Sequence, residues 1–360
     1  GPRSTRLPRN WILGGGLLLL TTAGGLGWLQ YQRLHRPLSL RAQEARRLYL
    51  QGRHHWNRRN RDNLIKAQAL LRQAIALDPT YAEAYLALAE CQALAPAHGG
   101  ATTEAAVREA RETLRTLAKV APDHPDGKLV EAYLLFRYEF RWKEAEALFR
   151  KGLEAEGPAK VDPTRLHWFG FFLSCLGHHE EAVLWLKRAV AQDPLNLQAR
   201  TNLAVAEFWA GQSQEAYAEM QAIMELDPSF QSATDRLVGF YESDGDIPKA
   251  LALRAEQLRR GGGQPREYAG CETGWKQRGR EGYYTALLTL YRENAAQGGD
   301  PFFEALPLAA LGRRDEAFEA LDRALAFRSP FLIWAYQEPR LASLRDDPRY
   351  PAFLRHLNLP

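Results

Sequence analysis

The 360 residues contain no P-loop, no G-x-G-x-x-G behind a strand, no H-E-x-x-H and no G-x-S-x-G. The short motifs that cradle phosphate, hold a hydrolytic zinc or present a strained nucleophile are therefore missing. Cysteine is scarce. Cys91, Cys175 and Cys271 lie far apart and form no C-x-x-C pair, which excludes a zinc ribbon or a thioredoxin-like centre. Their odd number excludes a fully paired set and leaves one disulfide open. Excess charge is missing too. With 47 basic and 43 acidic residues the formal net charge is +4, so the whole molecule is not a polyanion binder by charge alone.

Two features that could suggest metal do not carry it. Adjacent histidines on a helix project about 100° apart, so neither His54-His55 nor His178-His179 can chelate alone. The stretch "ESDGD" at 242–246 lacks the ligand spacing of a calcium loop and fits a turn better. No metal, no cofactor, no catalysis and no nucleic-acid binding are expected of this chain.

What is present begins with an uncharged run. Residues 11–31 read "WILGGGLLLLTTAGGLGWLQY", bracketed by Arg9 and Arg33. As a helix rising about 1.5 Å per residue, the run matches the roughly 30 Å of a bilayer core. Trp11 sits at one end, and Trp28 and Tyr31 at the other, where amphipathic rings favour the interface. Ala23 and Gly27 form a small-xxx-small pair compatible with a homodimer. The expectation is a single-pass inner-membrane protein touching the lipid bilayer through 11–31. Residues 1–10 would be a tail and 32–41 a juxtamembrane linker. Three arginines precede the run and five follow it closely, which by charge alone would hold the C-terminal part in the cytoplasm. The chain opens Gly1-Pro2 without methionine, which reads as a processed or cloned fragment.

The strongest signal is periodic. "LGHHEEAVLWLKRAVAQDP" places Gly177, Ala182, Ala189 and Pro194 at steps that recur in "AGQSQEAYAEMQAIMELDP" as Gly211, Ala216, Ile223 and Pro228. The two prolines are 34 residues apart. The same frame fits Gly52, Ala67, Ala74 and Pro79 near the start, with a short insertion at "NRRNRD", and returns late as Gly312, Ala317 and Ala324. Glycine stops one helix so that the chain can turn. Alanines seven apart share a helical face where only a small side chain admits a neighbouring helix. Asp-Pro ends the second helix, because the residue before proline resists helical geometry. A period near 34 predicts stacked helical hairpins.

On these residues the chain resembles tetratricopeptide repeats over about 42–328, with Gly170, Gly177, Ala182, Ala189 and Pro194 matching best. The fold expected is all-α: a transmembrane helix at 11–31, then a tetratricopeptide-repeat solenoid over 42–328. A Gly/Arg-rich break at 260–280 reads as a linker or inserted loop, or as a degenerate repeat, and 329–360 as capping helices over the last repeat. Phe140 stands where the third unit should have its turn glycine.

Stacked hairpins curve, and their first helices line a concave groove. Position mapping puts Tyr49, Arg53, Trp56, Glu83, Leu86, Glu90, Arg137, Tyr138, Thr164, His167, Phe171, Gln198, Thr201, Phe208 and Trp209 on that face. Arginine beside aromatics suits a protein or peptide ligand or an anionic group. The opening "RLYLQGRHHWNRR", the run "KAQALLRQAIALDPTYAEAYLALAE" and the closing "FLIWAYQEPRLASLRDDPRYPAFLRHLNL" resemble the extracytoplasmic sensor regions of ToxR-like and CadC-like membrane-bound transcription regulators. That resemblance implies a periplasmic array relaying ligand binding to an upstream winged-helix domain that this chain does not contain. An envelope scaffold, or the repeat tail of a membrane kinase or cyclase, are the alternatives.

Overall fold

The computed structural model describes residues 39–58, 60–98, 100–122, 124–154, 163–259 and 265–359. Among them every regular element is a helix. Six hairpins follow one another: α1 (Leu40–Asn57) with α2 (Arg61–Leu77), α3 (Ala82–Leu94) with α4 (Thr103–Val120), α5 (Pro125–Tyr138) with α6 (Trp142–Glu154), α7 (Pro163–Leu176) with α8 (His179–Gln192), α9 (Leu197–Trp209) with α10 (Ser213–Leu226), and α11 (Gln231–Ser243) with α12 (Ile247–Arg259). The helix α13 (Pro265–Ala296) is bent, and α14 (Phe302–Ala310) with α15 (Arg314–Phe327) makes the last hairpin. The first helices at Pro163, Leu197, Gln231 and Pro265 start 34 residues apart.

The repeat markers perform as their chemistry requires. Gly177 and Gly211 adopt φ of 84° and 79° at the turn between paired helices, a region open to glycine at no steric cost. In the third unit Phe140 takes φ 54° at the equivalent turn, a left-handed conformation costly for a bulky residue, and its carbonyl accepts from Asn358 Nδ2 at 3.2 Å. Ala67, Ala74, Ala182, Ala189, Ala216, Ala317 and Ala324 are all fully buried. A Cβ on Gly170 would lie 2.6 Å from Leu186 Cγ and 3.1 Å from the Ala182 carbonyl, so the small residue sets how closely α7 and α8 pack. Asp78, Asp193 and Asp227, each before a proline (Pro79, Pro194, Pro228), leave helical geometry while their N–H groups still close the last turn.

One of the two readings of the 260–280 break is corrected here: from Pro265 onward it is helical and not a loop, which leaves the degenerate repeat. Within α13, Arg278 (φ −137°) and Gly279 (φ 56°) break the helix into two arms. The arms cross at Gly274 and Gly282, where a Cβ on either glycine would fall within 2.3 Å of the other's carbonyl oxygen. This is a seventh hairpin, tighter than its neighbours. The single-pass inner-membrane localisation is also corrected, because no helix among the described residues is long and apolar enough to cross a membrane. The expected span with Trp11, Ala23, Gly27, Trp28 and Tyr31 lies outside the described residues.

The C-terminal segment does more than cover the last hairpin. After a left-handed Arg328 it runs through two 3-10 turns, Leu332–Trp334 and Pro339–Leu344, to α16 (Arg349–His356). It touches the last unit, where the Ser343 hydroxyl donates to the Ala309 carbonyl and Arg349 pairs with Asp315. It also reaches far back. The Thr103 hydroxyl donates to the Arg328 carbonyl at 3.0 Å, and Trp142 Nε1 to the Leu357 carbonyl at 2.7 Å. Leu332, Ile333, Ala335, Leu341 and Leu344 are fully buried and belong to the same hydrophobic core as Phe136, Phe149, Phe169 and Phe172 of units three and four.

Candidate groove on the first helices

The curved stack leaves its first helices facing inward, and the C-terminal segment divides that face. The C-terminal ends of the first helices and the turns that follow are covered by the segment. Arg340 pairs with Glu242 of α11 at 2.8 Å and with Glu338 at 2.8 Å. Glu242 also accepts from the Tyr283 hydroxyl at 2.6 Å. Arg236 lies 3.5 Å from the Trp334 ring centroid, and burial lowers its pKa to about 10. Burial works against charge on Glu338, yet Arg340, with Arg236 behind it, outweighs burial and holds the Glu338 carboxyl below its usual range.

A pH dependence follows. The ionised Glu338 contributes stability that is fully present above the unfolded carboxylate value of 4.5 and is lost as pH falls through the lower folded value. Urea midpoints for the parent and Glu338→Gln, followed from about pH 7 to about pH 3, should differ most at neutral pH and converge in acid. A constant gap across that range would show that Glu338 does not titrate with the fold.

The C-terminal half of α1 and the N-terminal parts of α3, α5 and α7 stay open. They enclose a cavity of 290 Å³ lined by Tyr49, Arg53, Glu83, Leu86, Ala87, Glu90, His124, Asp126, Leu129, Val130, Thr164, Arg165 and Trp168. Two ion pairs brace it, Arg53 with Glu90 and Arg165 with Asp126, and His124 Nδ1 stands 3.9 Å from Asp126. Arg53 also lies 4.2 Å from the Trp56 ring centroid. Burial opposes its charge, but Glu90 raises its pKa further above the usual arginine value. Tyr49 meets Tyr81 with centroids 5.2 Å apart, and Trp168 meets Tyr133 at 4.8 Å. Glu83 is exposed at the rim. The wall is thus rigid, half apolar and lined by charges of both signs.

Of the residues the sequence placed on this face, Tyr49, Arg53, Glu83, Leu86, Glu90 and Thr164 come together here. Phe208 and Trp209 instead face the segment across a void of only 20 Å³ shared with Glu338, Pro339 and Arg340, and Phe208 stacks on Phe240 at 3.9 Å. The others are interior. Trp56 is 1% exposed, in the core. Arg137 is buried against Tyr133 and Phe171. The buried Tyr138 hydroxyl donates to the Ala93 carbonyl at 2.5 Å. His167 is buried, with Asn202 donating to its Nε2 at 2.7 Å, and Gln198 donating to Asn202 in turn. The Thr201 hydroxyl turns back to its own helix, donating to the Leu197 carbonyl at 2.8 Å. Trp56, Arg137, Tyr138, His167, Phe171 and Thr201 therefore do not line the open cavity.

Sequence reasoning missed His124, Asp126, Leu129, Val130, Arg165 and Trp168. Their signal was available, since Asp126 to Val130 and Thr164 to Trp168 occupy the first turns of α5 and α7, level with Glu83 and Leu86 on α3. Cys91, Cys175 and Cys271 are buried free thiols, and burial pushes Cys175 up to about 12, which leaves it an unreactive thiol at neutral pH. Among the described residues no group of three or more His, Cys, Asp or Glu side chains is placed to hold a metal ion.

No protein-family profile matches the sequence, and no curated protein matches it. Solved structures with a similar course of the chain include a tetratricopeptide repeat protein. A tetratricopeptide repeat protein from Parabacteroides merdae is 14% identical, with 79% of this chain and 99% of that chain covered and a TM-score of 0.44. The pilF protein of Pseudomonas aeruginosa is 19% identical, covering 60% and 92%, with a TM-score of 0.43. Yeast Tom70 is 14% identical, covering 87% and 67%, with a TM-score of 0.43.

Proposed function

We propose that this chain is a peptide-binding adaptor, and that the open cavity between α1, α3, α5 and α7 takes an extended segment of a partner protein. The observation that carries the reading is the cavity itself: four successive first helices converge on one concave, partly apolar space braced by two half-buried ion pairs. Preorganised charges and aromatic walls lower the ordering cost of binding a flexible segment. Glu83 at the rim favours a basic side chain in the bound segment, while Tyr49, Leu86 and Val130 favour an apolar neighbour beside it. The sensor, transcription-regulator, scaffold and repeat-tail readings each add a component beyond this chain and are not needed for the binding reading.

The test is affinity selection of a random peptide library on the full chain. Peptides rich in basic and apolar residues are expected. Thr164→Trp, which fills the cavity without changing charge, should weaken the selected peptides at least about tenfold, or about 1.4 kcal/mol. Glu83→Lys should penalise the basic ones. Selected peptides that bind Thr164→Trp as tightly as the parent would place the interaction elsewhere and sink the reading.

A further inference from the structure

A second opening lies across the molecule from the groove. It is formed where the turn of unit four meets the C-terminal segment, and has a volume of 710 Å³. Its polar wall carries one sign of charge. His178 and His179 come from the start of α8, and Arg345 and Arg355 from the C-terminal segment, with no carboxylate side chain among the described lining residues. The nearby acids are Glu180, Glu181, Asp346 and Asp347, and none of them lines the space. Glu181 is held by Arg150 at 3.2 Å and Asp347 by Arg349 at 2.8 Å.

The two arginines are not consumed by the fold. Arg355 is exposed on α16. Arg345 is exposed; it makes long contacts of 3.4 and 3.5 Å with the Tyr336 and Gln337 carbonyls and also lies beside the Tyr350 hydroxyl. His179 Nδ1 is buried without a hydrogen-bond partner. Burial, partly offset by a hydrogen bond with Gln337, lowers the pKa of His179. Apart from the Gln337 amide, the rest of the wall is apolar or aromatic, including Tyr336 and Leu354. Its volume is in the range of sites that enclose a small molecule.

We infer that this crevice binds a small anionic molecule, a phosphate- or carboxylate-bearing compound with an apolar or aromatic body. The arginine forks and imidazoles take the anion through charge-assisted hydrogen bonds. The body lies along Tyr336 and Leu354. This site is separate from the peptide groove, and its occupancy does not depend on that reading.

The experiment is calorimetric titration of the full chain with phenyl phosphate, inorganic phosphate, benzoate and phenol. Phenyl phosphate or benzoate should saturate one site, and phenol should show no saturable heat. Inorganic phosphate should bind at least about tenfold more weakly than phenyl phosphate. Arg345→Ala and Arg355→Glu, both surface changes, should each weaken phenyl phosphate at least about tenfold, while thermal unfolding confirms that both variants fold. No saturable binding by any of the anions overturns the proposal. So does binding unchanged in both arginine variants. Inorganic phosphate binding as tightly as phenyl phosphate overturns the apolar half of it. Titrating the same anions into Thr164→Trp keeps the two sites apart, since that variant should bind them as the parent does.

Discussion

Replacing Arg340 by alanine should cost about 3–5 kcal/mol of folding stability, the range for removing one member of a buried ion cluster. Arg340 is 15% exposed at its side chain, and its partners Glu242 and Glu338 are 2% and 4% exposed. Without the guanidinium, Glu338 keeps only Arg236 nearby. Glu242 keeps Arg254, at 3.4 Å, and the Tyr283 hydroxyl. Glu338 would then lie in a dry space with no guanidinium hydrogen-bonded to it, since its side-chain hydrogen bonds from a cation all come from Arg340. The energy at stake is mostly the penalty of that stranded charge, not the worth of the pair. Arg340→Lys keeps the charge and loses the fork, so it should recover only part of the loss. Equilibrium urea unfolding monitored by tryptophan fluorescence reads both variants. A loss below about 1 kcal/mol would mean that the cluster behaves as a solvent-screened surface pair.

The second large effect is at the crossing of α13. Gly282→Ala places a methyl group 1.9 Å from the Gly274 carbonyl oxygen, and both contacts are backbone, which cannot rotate away. The two arms must separate, and overpacking of this kind costs about 1–3 kcal/mol or more. An internal control lies in the same helix. Gly270 is exposed, with nothing within 4 Å of its built Cβ, so Gly270→Ala should stabilise by up to about 1 kcal/mol through helix propensity. Opposite signs for two Gly→Ala changes twelve residues apart are the expected result in thermal denaturation. Destabilisation by neither would disprove the close crossing.

The contrast between these two glycines explains what the sequence reveals and what it hides. The regular units announce themselves, because Gly177, Ala182, Ala189 and Pro194 repeat at fixed offsets and each is demanded by a local contact. The seventh unit uses the same physics with different spacing. Its crossing residues, Gly274 and Gly282, are eight apart, and its turn is at Arg278–Gly279, so a run of glycines and arginines reads equally as a loop or as a degenerate repeat when it is a tight hairpin. The groove was legible on the first two first helices. Tyr49, Arg53, Glu83, Leu86 and Glu90 do meet. Further along, Arg137, Tyr138, Phe171 and Phe208 lie toward the C-terminal ends of their helices, away from this cavity. Those ends are covered by a segment 98 to 218 residues away in the chain, and no periodicity within a unit can signal a contact of that range.

That return of the chain changes how the molecule can deform. A helical array joined only through adjacent repeats is a coil spring, compliant along its axis and able to lose its end turns one at a time. Here residues 328–358 are stitched to Thr103, Phe140, Trp142 and Glu242, so the spring is buckled across its own bore. Its stiffness is set by the clasp more than by the pitch. Tension applied between the first and last hairpins would meet little compliance until the clasp lets go, and the coil would then yield as a whole.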